Sequence, residues 1–231
     1  MGGGLAKTNL PVLFWIKKTR FNNQVLAQSN GLLVAKRFCR PATSSPPSPR
    51  IGMPSHNIEY VLRKLSWMRG QRIWPNGLRY LWTDAFGLVL LVSLFRDLHD
   101  ERYLDDAEVL VRDVDRVLGR RRGIRIGEAP DRDGQYFHYL AMWLYALSSL
   151  SEHIPQYRAR AIALARDVHR PFVLPEKGVV WKMKEDLSGP YPGFGYGALD
   201  AFNGYVVYRI LGEQALASEI MEMQELIERD Y

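Results

Sequence analysis

The sequence predicts an all-α fold built as an array of helical hairpins, and three observations predict it. From about residue 57 the apolar residues recur at helical spacing almost throughout. The stretches YLDDAEVLVRDV, from Tyr103, and YRARAIALARDV, from Tyr157, share Tyr, Ala, Leu and a closing Arg-Asp-Val at one offset of 54 residues. A second echo links DAFG, Asp84 to Gly87, with DAFNG, Asp200 to Gly204. Repeated hairpins of this kind stack into a solenoid or a closed ring, because no single hairpin can bury its own apolar face.

The elements follow in order. A short helix covers about 57 to 69, and Pro75 and Gly77 in QRIWPNG break it. Residues 78 to 98 carry the apolar run AFGLVLLVSLF, too short for a membrane span and therefore a buried helix. DERYLDDAEVLVRDVDRVLG is its amphipathic partner: Tyr103, Ala107, Leu110, Val111 and Val114 share one face, and Gly119 ends the helix. After a polar loop the second pair spans 135 to 152 and 155 to 170, with Pro155 in a first helical turn. GVVWKMKED reads as a short extended piece, which confines strand content to the neighbourhood of 178 to 184. The third pair covers about 198 to 211 and 213 to 229. In each pair the first helix is apolar all round and belongs inside; the second belongs outside.

Composition narrows the function. Residues 1 to 58 hold eight Lys or Arg and no acid, so the net charge of +6 is concentrated there. The remainder, with 23 basic against 25 acidic residues, carries only −2 and offers no basic stripe for nucleic acid. The triplet Arg120, Arg121, Arg122 reads as a solvated loop. Cys39, the only cysteine of the 231 residues, excludes an internal disulfide framework and a cysteine-cluster zinc site. Residues 1–55 form a basic leader, disordered or transit-like, whose apolar LPVLFWI is too short to span a membrane. The chain is expected in the cytoplasm, or in an organelle if the leader is a transit peptide. Met53 is a second possible start.

The motifs LRYLWTDAFG, RIGEAPDRDGQYFHYLAMWLYAL and WKMKEDL, followed by LDAFNGYVVYRIL, resemble a branch of the six-hairpin glycosidase-like superfamily. The resemblance covers about residues 72 to 231, and Asp-Gly-Gln-Tyr-Phe-His-Tyr is its most specific block. It implies an (α/α)6 toroid with a central cleft in which related branches cleave or isomerise sugars. Members of the family carry further hairpins, so 56–231 is expected to form a partial toroid of about three hairpins. Such a truncated ring leaves inner surface uncovered, which implies self-association and puts activity in doubt.

Inner helices of an αα-barrel run parallel, so their N-terminal ends meet at one rim. Asp84, Asp133 and Asp200 each lie near such an end. The expected site is a pair of rim carboxylates for glycoside hydrolysis, Asp84 and Asp133, with His138 as base or sugar contact. The 54-residue offset sets His138 level with Asp84. Trp82, Tyr136 and Trp181 supply flat surfaces on which sugar rings stack, and Arg125 and Asp200 complete the substrate-binding set; Trp143 reads as core. PYPGFGYG, residues 190 to 197, has the Gly and Pro content of a mobile cover. No cofactor is called for, and no second His lies at ligand spacing near His138 for a metal. Against this stands a simpler role, since Asp at a helix start is favoured as a cap by about 1 kcal/mol. A buried Asp84 within an apolar helix fits that role less well. The alternative functions are a sugar epimerase-like protein or a non-catalytic array that binds a glycan or a protein.

Overall fold

The computed structural model describes residues 56–231. The acid-free stretch 1–55, with the leader, transit-peptide and second-start readings placed on it, lies outside the described residues. The described residues form seven helices: α1 (His56–Gly70), α2 (Leu81–Leu98), α3 (Arg102–Leu118), α4 (Phe137–Ser151), α5 (Gln156–Phe172), α6 (Asp200–Gly212) and α7 (Ala217–Asp230). The four strands are two residues each: β1 (Gln135–Tyr136), β2 (Val173–Leu174), β3 (Gly178–Val179) and β4 (Lys182–Met183). The class is all-α.

Three hairpins stand in sequence order. The apolar helices α2, α4 and α6 pack side by side, and α3, α5 and α7 each pack on the first helix of their own pair. Wholly buried Leu81, Leu88, Leu140, Trp143, Leu144, Leu147, Tyr208 and Leu211 join the first helices into one core. The second helices bury narrower stripes, such as Ala107, Leu110, Val111 and Val114 of α3. Polar groups link the outer helices: Arg160 pairs with Asp115, and the Tyr157 hydroxyl donates to Glu108 at 2.9 Å. An ion pair as open to solvent as Arg160–Asp115 contributes little, so the inner row carries most of the stability. On α6, Phe202, Val206 and Ile210, with Leu199 just before it, form an exposed apolar stripe.

The expected boundaries shift where long-range backbone bonds intervene. The α2 helix begins at Leu81 rather than at 78 because the Leu81 amide donates to the Ile126 carbonyl at 2.9 Å. The extended piece at 178 to 184 takes its partners from outside that neighbourhood, so strand content is wider than expected. β3 pairs with β2, which follows directly on α5, and β4 pairs with β1, which claims Gln135 and Tyr136 from the expected start of α4. Gln135, wholly buried, then ties the Arg-rich loop down. Its Oε1 accepts from the Ile124 amide at 2.9 Å, and its Nε2 donates to Arg122 O at 3.0 Å and Glu185 O at 2.7 Å.

Candidate functional site

The expected Asp84–Asp133 pair does not open onto a shared cleft; each carboxylate is engaged by its own neighbours. Asp84 is 1 % exposed. Its Oδ1 accepts from the Trp74 indole N–H at 2.9 Å and lies 3.5 Å from Arg79 Nη1, and its Oδ2 faces the Tyr80 amide at 3.3 Å. Burial raises the Asp84 pKa from its ordinary value, with Trp74, Arg79 and Tyr80 pulling the other way. An ion pair alone would depress it, so desolvation outweighs the arginine here. Gly87, one turn on, is what admits the indole: a Cβ there would come within 1.9 Å of the Trp74 ring. In DAFG, then, both Asp and Gly serve to seat Trp74 from the loop before α2.

Asp133 does not cap α4 either. Its Oδ1 accepts from the Gly127 and Gly134 amides at 3.1 and 2.8 Å, and its Oδ2 pairs with Arg125. Arg125 also donates to Val117 O at 3.1 Å, so it staples the 125–134 loop to α3. Three residues expected at the site thus hold the scaffold beneath it.

The other five residues are brought together. Trp82 of α2, Tyr136 of β1 and Trp181, beside β4, surround His138 of α4. Their ring centres lie 5.8, 5.5 and 6.2 Å from the imidazole, with Trp181 nearly parallel to it. Trp181 stays 38 % exposed, which leaves an aromatic face open to solvent. Asp200, in the first turn of α6, approaches His138 from behind at 3.9 Å between Oδ1 and Nδ1. The short β1–β4 ladder and the α4–α6 contact together produce this meeting.

The two titratable groups are pushed apart. Burial raises Asp200 to about 7 and lowers His138 to about 4. A charged His–Asp pair would shift both the opposite way, and the hydrogen bonding decides against one. The Trp181 indole N–H donates to His138 Nδ1 at 3.2 Å. An indole nitrogen only donates, so Nδ1 is the bare acceptor, and the neutral ring carries its proton on Nε2. Asp200 has only a long contact from the Asn203 amide, 3.4 Å to Oδ1, and its buried Oδ2 has no hydrogen-bond partner. Gly197 lies against that oxygen, where a Cβ would come within 1.8 Å. The loop expected as a mobile cover therefore roofs Asp200, and His138, a quarter exposed, is the outer member of the pair.

Five rim residues have no counterpart among the expected site residues. The Tyr139 hydroxyl bonds that of Tyr80 at 2.7 Å, and its ring packs on Trp82 at 4.9 Å. Lys182 is 2 % exposed, with Nζ over the Tyr136, Tyr191 and Phe194 rings at 4.9, 4.4 and 5.0 Å. The same ammonium donates to Arg132 O at 2.6 Å and Glu128 at 3.2 Å. It clasps the 191–194 segment onto the rim. A lysine buried beside Met183 on a two-residue strand gives no sequence signal for this. Among the described residues no group of three or more His, Cys, Asp or Glu side chains could hold a metal ion, and no helix is long and apolar enough to cross a membrane.

Comparison of the chain with models of known protein families, with curated proteins and with solved structures returns no match.

Proposed function

We propose that this is a carbohydrate-active protein whose ligand stacks on the Trp181–Tyr136–Trp82 rim and whose acid–base chemistry rests on His138 and Asp200. The observation that carries the reading is a buried, protonatable carboxyl with no partner on Oδ2, set directly behind a neutral histidine in an open aromatic rim. Flat aromatic faces suit the apolar faces of sugar rings, and the aromatic ring itself adds no charge. A carboxyl whose pKa stands near neutrality holds a proton it can give up, as a general acid requires. Hydrolysis by a carboxylate pair needs a second free carboxylate, and Asp84 and Asp133 are committed to Arg79 and Arg125. Asp200 with His138 therefore carries the chemistry, which includes sugar proton transfer of the epimerase kind beside glycoside hydrolysis.

The test is Trp181 fluorescence during titration with neutral mono- and oligosaccharides, followed by turnover of any that bind. Saturable quenching that Trp181→Ala abolishes, with turnover lost in Asp200→Asn, supports an enzyme. Binding with turnover absent in the unmodified chain supports the non-catalytic glycan-binding array. No saturable response to any sugar removes the carbohydrate reading. The same proposal includes association of copies of the chain through the exposed α6 stripe; sedimentation showing a monomer at all concentrations would remove that part.

A further inference from the structure

Helix α1 turns two aromatic side chains to solvent. Tyr60 and Trp67 are each 54 % exposed, and a spacing of seven residues, two turns, sets them on one face. Arg63 and Lys64 fall between them on the same face, at three and four residues from each ring. The Lys64 ammonium stands 5.5 Å from both ring centres. The opposite face holds α1 to the domain: Leu65 is buried, Val61, Leu62 and Met68 pack against the core, and Arg69 pairs with Asp106 of α3 at 2.6 Å. The aromatic face is therefore presented outward by a helix that is anchored from behind. In the loop that follows, Ile73 and Leu78 are exposed as well.

The charge pattern says what this face meets. Residues 1–78 contain twelve Lys or Arg and a single acid, Glu59, whereas residues 79–231 contain 19 basic and 24 acidic residues. Helix α1 is the part of that basic segment which the structure describes. Among the described residues no carboxylate lies within ion-pair distance of Arg63, Lys64 or Arg72. Unneutralised cations interleaved with Tyr and Trp are what a helix lying on an anionic lipid surface requires. The amphipathic rings settle at headgroup level, and the lysine stem lies along them with its ammonium towards the lipid phosphates. Ile73 and Leu78 favour lipid over nucleic acid, because an aliphatic side chain gains from acyl chains and offers a nucleic acid neither charge nor a stacking plane. At 15 residues α1 is too short to cross a bilayer and suits one lying in the interface.

We infer that the Tyr60–Arg63–Lys64–Trp67 face of α1 docks on an anionic lipid surface, with the helix axis in the membrane plane. The two rings enter the headgroup region, while Arg63 and Lys64 meet the lipid phosphates and carboxylates. Each Lys or Arg close to such a surface is worth roughly fivefold in affinity, so this pair contributes about 25-fold. The basic residues that precede α1 in the sequence add attraction to the same surface by charge alone. The contact is reversible and salt-dependent, since it rests on two rings and a few screened charges.

The test is flotation of the full chain with vesicles of phosphatidylcholine alone and of phosphatidylcholine mixed with phosphatidylserine. The expected result is binding to the serine-containing vesicles, weakened by salt, and none to phosphatidylcholine alone. Tyr60→Ala with Trp67→Ala leaves the charge unchanged and should weaken binding at least tenfold. Arg63→Gln with Lys64→Gln should weaken it about 25-fold. All four positions are exposed, and thermal melts check that both variants fold. Should the aromatic variant fail to fold, the charge variant and the quenching of Trp67 by brominated lipid, assigned with Trp67→Phe, take its place. No binding to serine-containing vesicles would overturn the inference. So would binding that both double variants leave unchanged, because the charge ahead of α1 would then act alone. Single-stranded RNA bound more tightly than the vesicles, with the same dependence on these four residues, would make the face a nucleic-acid surface instead.

Discussion

The DAFG corner of α2 and the DAFNG corner of α6 begin alike and do opposite things. At the first, Asp84 is surrounded by donors: an indole N–H, an arginine and a backbone amide. At the second, Asp200 is as deeply buried but meets only a long contact from Asn203, with one oxygen unpartnered. Burial raises both pKa values, yet only Asp200 is pushed to about 7. The glycines differ too. Gly87 is filled by the rigid Trp74 ring, whereas Gly204 meets the flexible end of Met223 at 2.5 Å. One short motif at one kind of position therefore gives a structural clamp in one hairpin and an unsatisfied carboxyl in another. The neighbours supply the difference.

The largest expected effect is at the clamp. Asp84→Ala leaves the buried Trp74 indole N–H without an acceptor and Arg79, itself 5 % exposed, without a counterion. Chemical denaturation should show a loss of about 3 to 5 kcal/mol. A loss below about 1 kcal/mol would mean that Arg79 finds another partner and that Asp84 is not a clamp.

Asp200→Asn should act in the other direction. A carboxyl raised from 3.8 to about 7 contributes stability that is fully present below pH 3.8 and is lost as pH rises through 7. Removing the charge should therefore stabilise the protein by on the order of 2 to 4 kcal/mol above pH 7, at about 1.4 kcal/mol per unit. The gain should shrink towards zero near pH 4. Thermal melts of the two chains across that range check this, and curves that run parallel at every pH would sink it. His138 works against Asp200 in the unmodified chain. Its pKa, lowered to about 4, contributes stability present above 6.5 that is lost as pH falls towards 4.

The two glycines sharpen the comparison at smaller scale. Gly87→Ala forces a methyl into the Trp74 ring and should cost about 1 to 3 kcal/mol. Gly204→Ala meets Met223 and then Phe137 at 3.2 Å, but it gains about 1 kcal/mol of helix propensity and should come near balance. Equal costs at the two positions would show that their surroundings do not differ as described. The smallest effect is on titration alone. Trp181→Ala uncovers the His138 ring, whose burial lowers its pKa to about 4, and should raise that pKa towards 6.5, read by NMR of the ring protons.

The hairpin order and four rim residues were legible because they depend on periodicity and on one rule, that the first helices present their N-terminal ends together. Trp82, Tyr136, His138 and Asp200 follow from that rule and from the 54-residue offset, whereas Trp181 was marked by its aromatic type alone. Asp84, Asp133 and Arg125 satisfy the same rule, yet their partners come from loops. Trp74 returns from the QRIWPNG break, and the 125–134 loop folds over its own aspartate. Nothing in spacing tells which loop comes back to which helix. Lys182 was hidden for a related reason: its aromatic enclosure draws on Tyr136 from one side and on Tyr191 and Phe194 from another.

The central claim is that Asp200 is a protonatable acid at the rim while Asp84 is a clamp. The most direct test is a pH titration of the aspartate carboxyl carbons by ¹³C NMR in selectively labelled protein, with Asp200→Asn to assign the signal. The account predicts one carboxyl that titrates near pH 7 and disappears in that variant. An Asp200 resonance that titrates near the ordinary 3.8 would contradict it.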